Sequence, residues 1–413
     1  MPVKSWRRWY SSDARRRPQT YALLLRLPCG NRQRVPALQD VVCYCPERRG
    51  AFFMQSDTEY MRRALALAAR GRGWCSPNPM VGCVVVRNGV IFGEGWHEQA
   101  GAPHAEVNAY TSCGGADTAD ATVYVTLEPC NHQGRTPPCA DLLLERKPAR
   151  VVIAMDDPNP HVRGGGAARL RDAGIRVDTG VCEEEAHRLN EAWIAHAKTG
   201  VPFVTAKCAM TLDGKIATRA GHSRWVTGEA ARAYVHELRH AHDAILVGSR
   251  TVMLDNPRLT TRLPGGDGRH PVRVILDAGE YLAEAAAVFA PPREAPTWVA
   301  TTQNRDYPFA DETLVLPEGP QGVDMLALCR ALGERGITSL LMEGGGATLA
   351  SAFQAGVVNK VCFFVAPKIV GGREAITPVE GEGVADMEEA LRVAELRASA
   401  LGDDILLEGY VDA

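Results

Sequence analysis

Beyond residue 56 the apolar positions first recur at helical spacing: Tyr60, Ala64, Leu65 and Ala68 fall on one face, and Ser56 with Glu59 makes a capping box. A helix is expected from about Asp57 to Arg70. The period then changes. Val81 to Val86 and Val90 to Gly95 are short apolar runs flanking Arg87-Asn88-Gly89, and Asn-Gly between two such runs is a strong hairpin signal. Val123 to Leu127 reads as a buried strand. Val151 to Met155, a helix over Gly164 to Ala173, and Ile175 to Val177 complete a small α/β layered domain.

Near Lys198-Thr199-Gly200-Val201-Pro202 the pattern restarts, so a boundary is expected there, with one domain over 54–199 and another over 200–413. Strand candidates follow at Phe203-Met210, Ala244-Val247, Val272-Leu276, Thr297-Ala300, Ser339-Met342, Val361-Val365 and Ile405-Tyr410. Helices are expected near Glu229-Arg239, Asp324-Glu334 and Ala347-Ala355. Strands interleaved with helices predict a mostly parallel sheet covered on both faces.

Composition adds exclusions. With 413 residues, 46% hydrophobic and 23% charged, the chain has an ordinary globular make-up, and no window approaches the ~20 apolar residues of a membrane span. A net charge of -3 gives no reason to expect a polyanionic partner, so nucleic acid is not expected. Twelve cysteines spread over this length do not resemble a dense disulfide framework, which predicts free thiols in a reducing, cytoplasmic compartment. The first 53 residues differ from the rest, with 11 Lys/Arg against 3 Asp/Glu, while the remainder has 35 against 46. They read as a transit-like presequence, a basic arm, or translated sequence upstream of a true start at Met54. The third reading is favoured, since the capping box opens a domain just after Met54.

The chemistry concentrates between residues 104 and 139. His104-Ala105-Glu106 is followed by Cys130 and, after Asn131-His132-Gln133-Gly134-Arg135-Thr136-Pro137-Pro138, by Cys139. One imidazole and two thiols suit a catalytic Zn²⁺, which takes three protein ligands and keeps one position open. Glu106 is then a proton carrier and not a ligand, the arrangement of zinc nucleobase deaminases. Residues two apart on a helix point about 200° apart, so His104 and Glu106 can share a site only if His104 stands at the very start of the helix. Pro103 and the pair Pro137-Pro138 suit first helical positions, which puts His104 and Cys139 at helix N-termini, where the dipole favours a thiolate.

Two other readings compete at this point. A nucleic-acid-editing deaminase shares the His, Glu and Cys but needs a basic groove with aromatics, whereas this chain is acidic outside its tail. A non-enzymatic zinc module needs four protein ligands. In the second half, Glu343-Gly344-Gly345-Gly346-Ala347-Thr348 is a glycine turn feeding a helix, either a phosphate cradle or a tight turn without ligand. It is not the dinucleotide fingerprint, because Leu349 stands where the third glycine belongs.

Longer motifs take the reading further. Thr126-Leu127-Glu128-Pro129-Cys130 with His132 and Gly134-Arg135-Thr136-Pro137-Pro138-Cys139, preceded by Asn78-Pro79 and Val81-Gly82, resembles the deaminase half of the bifunctional riboflavin-pathway deaminase/reductases. Lys207, Thr211-Leu212-Asp213-Gly214-Lys215, Ser223-Arg224-Trp225, Gly248-Ser249-Arg250-Thr251, Asp255-Asn256-Pro257, Leu259-Thr260 and Glu343-Gly344-Gly345 resemble their reductase half, so the resemblance spans about 54–413.

It implies a cytidine-deaminase-like zinc domain followed by a dihydrofolate-reductase-like domain. Zinc-dependent deamination of a diaminopyrimidinone ribosylamine phosphate would precede NADPH-dependent reduction of its ribosyl group to ribityl, and the chain would be a homo-oligomer. A deaminase with a silent second half is the alternative. By the same resemblance Asn78 and His132 would contact substrate in the first half. Ala209, Trp225, Thr251, Asp255, Gly345 and Gly346 would line the NADPH site, and Ser223, Arg239, Leu259, Arg262 and Glu343 would hold substrate. Guanidinium groups suit a phosphate tail because they donate bidentately. Lys207 and Asp255 are candidate proton donors. Ala278 stands where some relatives carry a hydroxyl, and Gly346 where some carry Pro.

Overall fold

The computed structural model describes residues 56–412 apart from 134–136, 160–164, 267, 278, 280–281 and 306. The expectations for residues 1–53, Gly134-Arg135-Thr136, Gly164 and Ala278 lie outside the described residues.

The first helix, α1 (Asp57–Ala68), carries the full capping box: Glu59 N donates to Ser56 Oγ, and Ser56 N to the Glu59 carboxylate at 2.7 Å. Tyr60, Ala64, Leu65 and Ala68 are all buried. Strands β1 (Gly82–Arg87) and β2 (Val90–Trp96) form the expected hairpin. Asn88 and Gly89 at its tip have φ of 53° and 74°, the signs a two-residue type I′ turn requires. Helix α2 (Ala105–Ser112) follows, then β3 (Thr122–Val125), α3 (Cys139–Arg146), β4 (Arg150–Ile153), α4 (Gly166–Asp172) and β5 (Arg176–Thr179). The sheet order is β2-β1-β3-β4-β5, antiparallel as far as β3 and parallel beyond it.

Both faces of this sheet are covered, which explains the uninterrupted apolar strands. Val123 and Val125 pack with Ala105, Ala109 and Leu143 on one face, whereas Tyr124 and Val84 pack with Met61 and Ala64 on the other. Two glycines set the approach of α2. A Cβ at Gly93 or Gly95 would lie 2.3 Å from backbone atoms of Ala109, so α2 rests directly on β2. Helices α5 (Glu183–Leu189) and α6 (Glu191–Thr199) close the segment. Neither is readable from hydrophobic period: α5 opens on three glutamates, and α6 has no buried residue.

The second sheet has nine strands. In chain order come β6 (Phe203–Thr211), α7 (Glu229–Ala241), β7 (Ala244–Gly248), α8 (Ser249–Asp255), β8 (Val272–Leu276), β9 (Thr297–Thr301), β10 (Glu312–Val315), the short pair β11 (Glu318–Gly319) and β12 (Gly322–Val323), α9 (Met325–Glu334), β13 (Ser339–Met342), α10 (Gly346–Gln354), β14 (Lys360–Ala366), β15 (Val393–Leu401) and β16 (Asp404–Val411). The order is β10-β9-β8-β7-β13-β6-β14-β16-β15, parallel up to β14 and antiparallel for the last two pairings. Strand β15 escapes sequence reading because it is an edge strand, almost wholly exposed and bulged between Ala394 and Arg397, so it shows no alternation. In an open parallel sheet, ligands bind beyond the carboxyl ends of the strands. Glu343, directly after β13, and Ser249, directly after β7, stand at such ends.

Candidate active sites

The first site forms where three elements end. His104 is the N-cap of α2 with extended backbone (φ -72°, ψ 163°), which frees it from helical period and lets Glu106, in the first turn, share its site. Cys139 is the first residue of α3, and Cys130 lies in the loop beyond β3. The prolines stand before the first helical position and not at it: Pro103 is two residues ahead, preceding the N-cap His104, and Pro138 is one ahead, itself the N-cap, because the ligands occupy the helix starts. His104 Nδ1 lies 3.2 Å from Cys139 Sγ and 3.6 Å from Cys130 Sγ. All three ligand atoms fall within 4.8 Å of one another. Tetrahedral Zn²⁺ with its usual bond lengths separates such donors by about 3.5 to 3.8 Å, so the donor set fits the ion.

Electrostatics agree with a cation. Cys139 N–H donates to Cys130 Sγ at 3.2 Å, placing that sulfur at the positive end of α3. The Cys139 thiol's hydrogen bond pulls Cys130 down to about 4, and the same contact pushes Cys139 up. Glu106 is 3% exposed, and burial, reinforced by the Cys130 charge, raises its pKa. A carboxyl so placed holds a proton more readily than a surface glutamate does.

Behind His104 stands His97, which the sequence reading missed. Its ring is edge-on to His104 at 5.6 Å, and its Nδ1–H donates to Pro103 O at 3.1 Å. Nε2 is thereby an acceptor, and Asn78 Nδ2 reaches it at 3.1 Å. Burial lowers the His97 pKa, which keeps this neutral tautomer. The bond leaves Asn78 Oδ1 as the acceptor end for a ligand. His132 is exposed. Buried Glu128 accepts from the backbone N–H groups of Gly165 and Ala167, both at 3.0 Å, and so ties the start of α4 to the cysteine loop.

The second site gathers around Glu343, whose carboxylate accepts from Arg239 Nε at 2.7 Å and Nη2 at 2.9 Å and lies 3.5 Å from Lys207 Nζ. Burial works to raise the pKa of Glu343, but Arg239 and Lys207 outweigh it and hold it at about 2. Arg239 Nη1 also donates to Thr260 O at 3.1 Å, so the bidentate edge expected to grip a phosphate is engaged within the protein. Arg262 is an exposed residue whose Nη1 donates to Thr260 Oγ1 at 3.0 Å. Leu259 has φ 56° and packs its side chain into the core beside Val247 and Ile275, so only its backbone can face a ligand. His236, one turn before Arg239, keeps a buried Nδ1 without a hydrogen-bond partner among the described residues. Burial and the charges of Arg239 and Arg262 lower its pKa to about 4.

Next to this cluster, α10 begins at Gly345 with no side-chain cap, and a Cβ on Gly345 would meet nothing within 4 Å. An uncapped helix start leaves backbone N–H groups without intrahelical partners, the kind of group that can receive phosphate. A Cβ on Gly346 would lie 2.5 Å from Thr377 O and Glu380 Cγ, which is why proline does not fit here. A Cβ on Gly248 would lie 3.1 Å from Thr348 Oγ1, which brings the start of α8 beside that of α10; Thr251 lies in the first turn of α8, and Asp255 is its last residue. Ser223 Oγ donates to Asp255 Oδ1 at 3.4 Å, Ala209 is half-buried on β6, and Trp225 is 64% exposed.

Residues 54–155 match the family profile "Cytidine and deoxycytidylate deaminase zinc-binding region", and residues 202–407 match "RibD C-terminal domain". The riboflavin biosynthesis protein RibD of Actinobacillus pleuropneumoniae is 44% identical over 376 residues, which cover 90% of this chain and 99% of that protein. The chain belongs to the RibD family. It is a bifunctional enzyme of riboflavin biosynthesis with a deaminase and a reductase domain. Among solved RibD structures, the deaminase/reductase of Thermotoga maritima superposes with a TM-score of 0.78 at 38% identity, covering 86% of this chain and 99% of that one. RibD of Acinetobacter baumannii superposes with 0.76 at 34% identity over the same shares. Among the described residues no helix is long and apolar enough to cross a membrane.

Proposed function

We propose that residues 54–199 catalyse zinc-dependent hydrolytic deamination and residues 200–413 an NADPH-dependent reduction. The substrates are those named for the Thermotoga maritima enzyme: a diaminohydroxyphosphoribosylaminopyrimidine, then 5-amino-6-(5-phosphoribosylamino)uracil. The observation that carries this reading is one nitrogen and two sulfurs within 4.8 Å, with the buried carboxyl of Glu106 two residues from the nitrogen ligand.

His104, Cys130 and Cys139 would hold Zn²⁺, which when bound makes water nucleophilic at neutral pH. Glu106 would carry one proton from the attacking water to a ring nitrogen and a second, from the hydroxyl so formed, to the departing ammonia, a task suited to its raised pKa. Asn78, turned by His97, offers its Oδ1 to the substrate's amino groups. The exposed His132 contributes at the mouth of the site.

In the reductase half, NADPH would lie along the start of α10 at Gly345 and Gly346, against Ala209, Trp225, Thr251 and Asp255, and would supply the hydride. The chain's own share is orientation. Arg262 has the open donors for the substrate phosphate, while Ser223, the Leu259 backbone and the Arg239–Glu343 pair shape the rest. The homo-oligomer implied by resemblance would find exposed apolar side chains on the edge strand β15, where Val393 and Leu396 face outward.

The test supplies the diaminopyrimidine substrate and NADPH to the purified chain and follows ammonia and nicotinamide absorbance, with and without zinc. Ammonia and NADPH oxidation are expected only with zinc, and added deaminated intermediate should restore NADPH use in zinc-free protein. Ammonia without NADPH loss would mean a silent second domain. No ammonia from zinc-loaded protein would remove the substrate assignment.

A further inference from the structure

The loop from Gly71 to Met80 carries Asn78 to the deaminase site, and its two ends are held by different halves of the molecule. At its exit the buried Asn190 side chain accepts from Met80 N at 2.8 Å and donates to Met80 O at 2.9 Å, a fastening within the deaminase half. At its entry the fastening belongs to the reductase half. Ser76 Oγ donates to Asp243 Oδ2 at 2.7 Å. Arg269 donates through Nη2 to Asp243 Oδ1 and through Nη1 to Gly73 O, both at 2.8 Å. Gly73, at φ 78°, lies so close to the end of α7 that a Cβ would be 2.5 Å from His240 O.

Asp243 is only 2% exposed and is itself immobilised, accepting from Thr338 N at 2.8 Å and Thr338 Oγ1 at 2.7 Å. A buried carboxylate fixed this way is a rigid anchor, because releasing any donor leaves its charge under-compensated. From the anchor the path to the deaminase site is short. Ser76 is two residues from Asn78, whose N–H donates to Cys75 O at 2.8 Å and whose amide meets His97. Unclamped, the entry of the loop can pivot at Gly71 and Gly73 and carry the stiff Pro77-Asn78-Pro79 tip with it, away from the aim a substrate needs.

We infer that Asp243 and Arg269 of the reductase half are positioning residues for deamination: they hold the loop that presents Asn78. The deaminase site is complete only with the second domain docked. This rests on the reading of Asn78 as a substrate contact.

The experiment uses the full chain and measures deaminase KM and kcat for Ser76→Ala, Arg269→Gln and Asn78→Ala, with zinc content and reductase turnover on deaminated intermediate as controls. Ser76→Ala and Arg269→Gln are each expected to raise the deaminase KM roughly tenfold or more, the scale of one lost hydrogen bond to a charged group. Both should keep kcat within about twofold, since neither touches the proton path. Zinc and reductase turnover should match wild type, and Ser76→Thr, which keeps the hydroxyl, should restore KM. A contact that merely glues the domains would lower the melting temperature and leave KM alone. If both clamp variants keep the wild-type KM while Asn78→Ala raises it, the inference is overturned. If Asn78→Ala leaves KM unchanged, the reading of Asn78 fails and takes the inference with it.

Discussion

Glu343→Gln tests the electrostatics of the reductase site at its centre. The Glu343 and Arg239 side chains are 8% and 13% exposed, and Lys207 approaches the same carboxylate at 3.5 Å. Burial alone would raise the pKa of Glu343, yet the two cations bring it from 4.5 to about 2. At 1.36 kcal/mol per unit, that difference is worth about 3 kcal/mol of folding stability at neutral pH. Removing one partner of a buried pair typically costs about 3–5 kcal/mol, because the surviving charge has no counter-ion, so two independent routes give the same scale. The folded-state pKa lies below the unfolded one, so this contribution is fully present above about pH 4.5 and is lost as pH falls toward 2. Urea unfolding of wild type and variant, followed by tryptophan fluorescence, should show the variant weaker by about 3 kcal/mol at pH 7, with the gap closing as pH falls through this window. The reasoning is refuted if the two proteins differ at pH 7 by no more than about 0.5 kcal/mol, the range of an ordinary surface substitution.

Three further outcomes follow from the two sites. Glu106→Gln should keep one zinc per chain by metal analysis while ammonia release falls by roughly 10²–10⁴, the usual worth of a proton carrier; loss of zinc would show that Glu106 is a ligand. Chelation of zinc should abolish ammonia release and leave NADPH oxidation on added deaminated intermediate intact, because the two sites share no ligand. Gly346→Ala places a Cβ 2.5 Å from Thr377 O and should raise the KM for NADPH at least several-fold without altering deamination; an unchanged cofactor KM would move the cradle away from α10.

Much of this architecture is legible because its signals are local. Asn88-Gly89 can make one kind of turn, Ser56 and Glu59 satisfy each other's backbone, and strands buried on both faces read as unbroken apolar runs. What stays hidden depends on tertiary contact. His97 looks like any histidine after a strand until Pro103 and Asn78 are seen to fix its tautomer. Arg239 looks like a free phosphate ligand until the fold places Glu343 against both its donors. Strand β15 is exposed and bulged, so nothing in its side chains reports the ladder its backbone joins. Asn190, Asp243 and Arg269 fasten a loop far away in sequence, and no spacing rule could have paired them with it.

The two sites also show one backbone device put to different uses by its neighbours. A helix start leaves N–H groups unsatisfied and carries partial positive charge. At α3 one of those groups is aimed at Cys130 Sγ, and the start stabilises a thiolate that a metal can take. At α2 the N-cap residue is itself the ligand, since extended backbone there releases His104 from helical period and brings it beside Glu106. At α10 no side chain caps the start and a Cβ on the flanking Gly345 would meet nothing within 4 Å, and it is there that the proposed phosphate cradle lies. Helix starts therefore do not announce a function by themselves. The sulfur, the imidazole or the empty space next to each decides whether it activates a ligand, orients one or receives one.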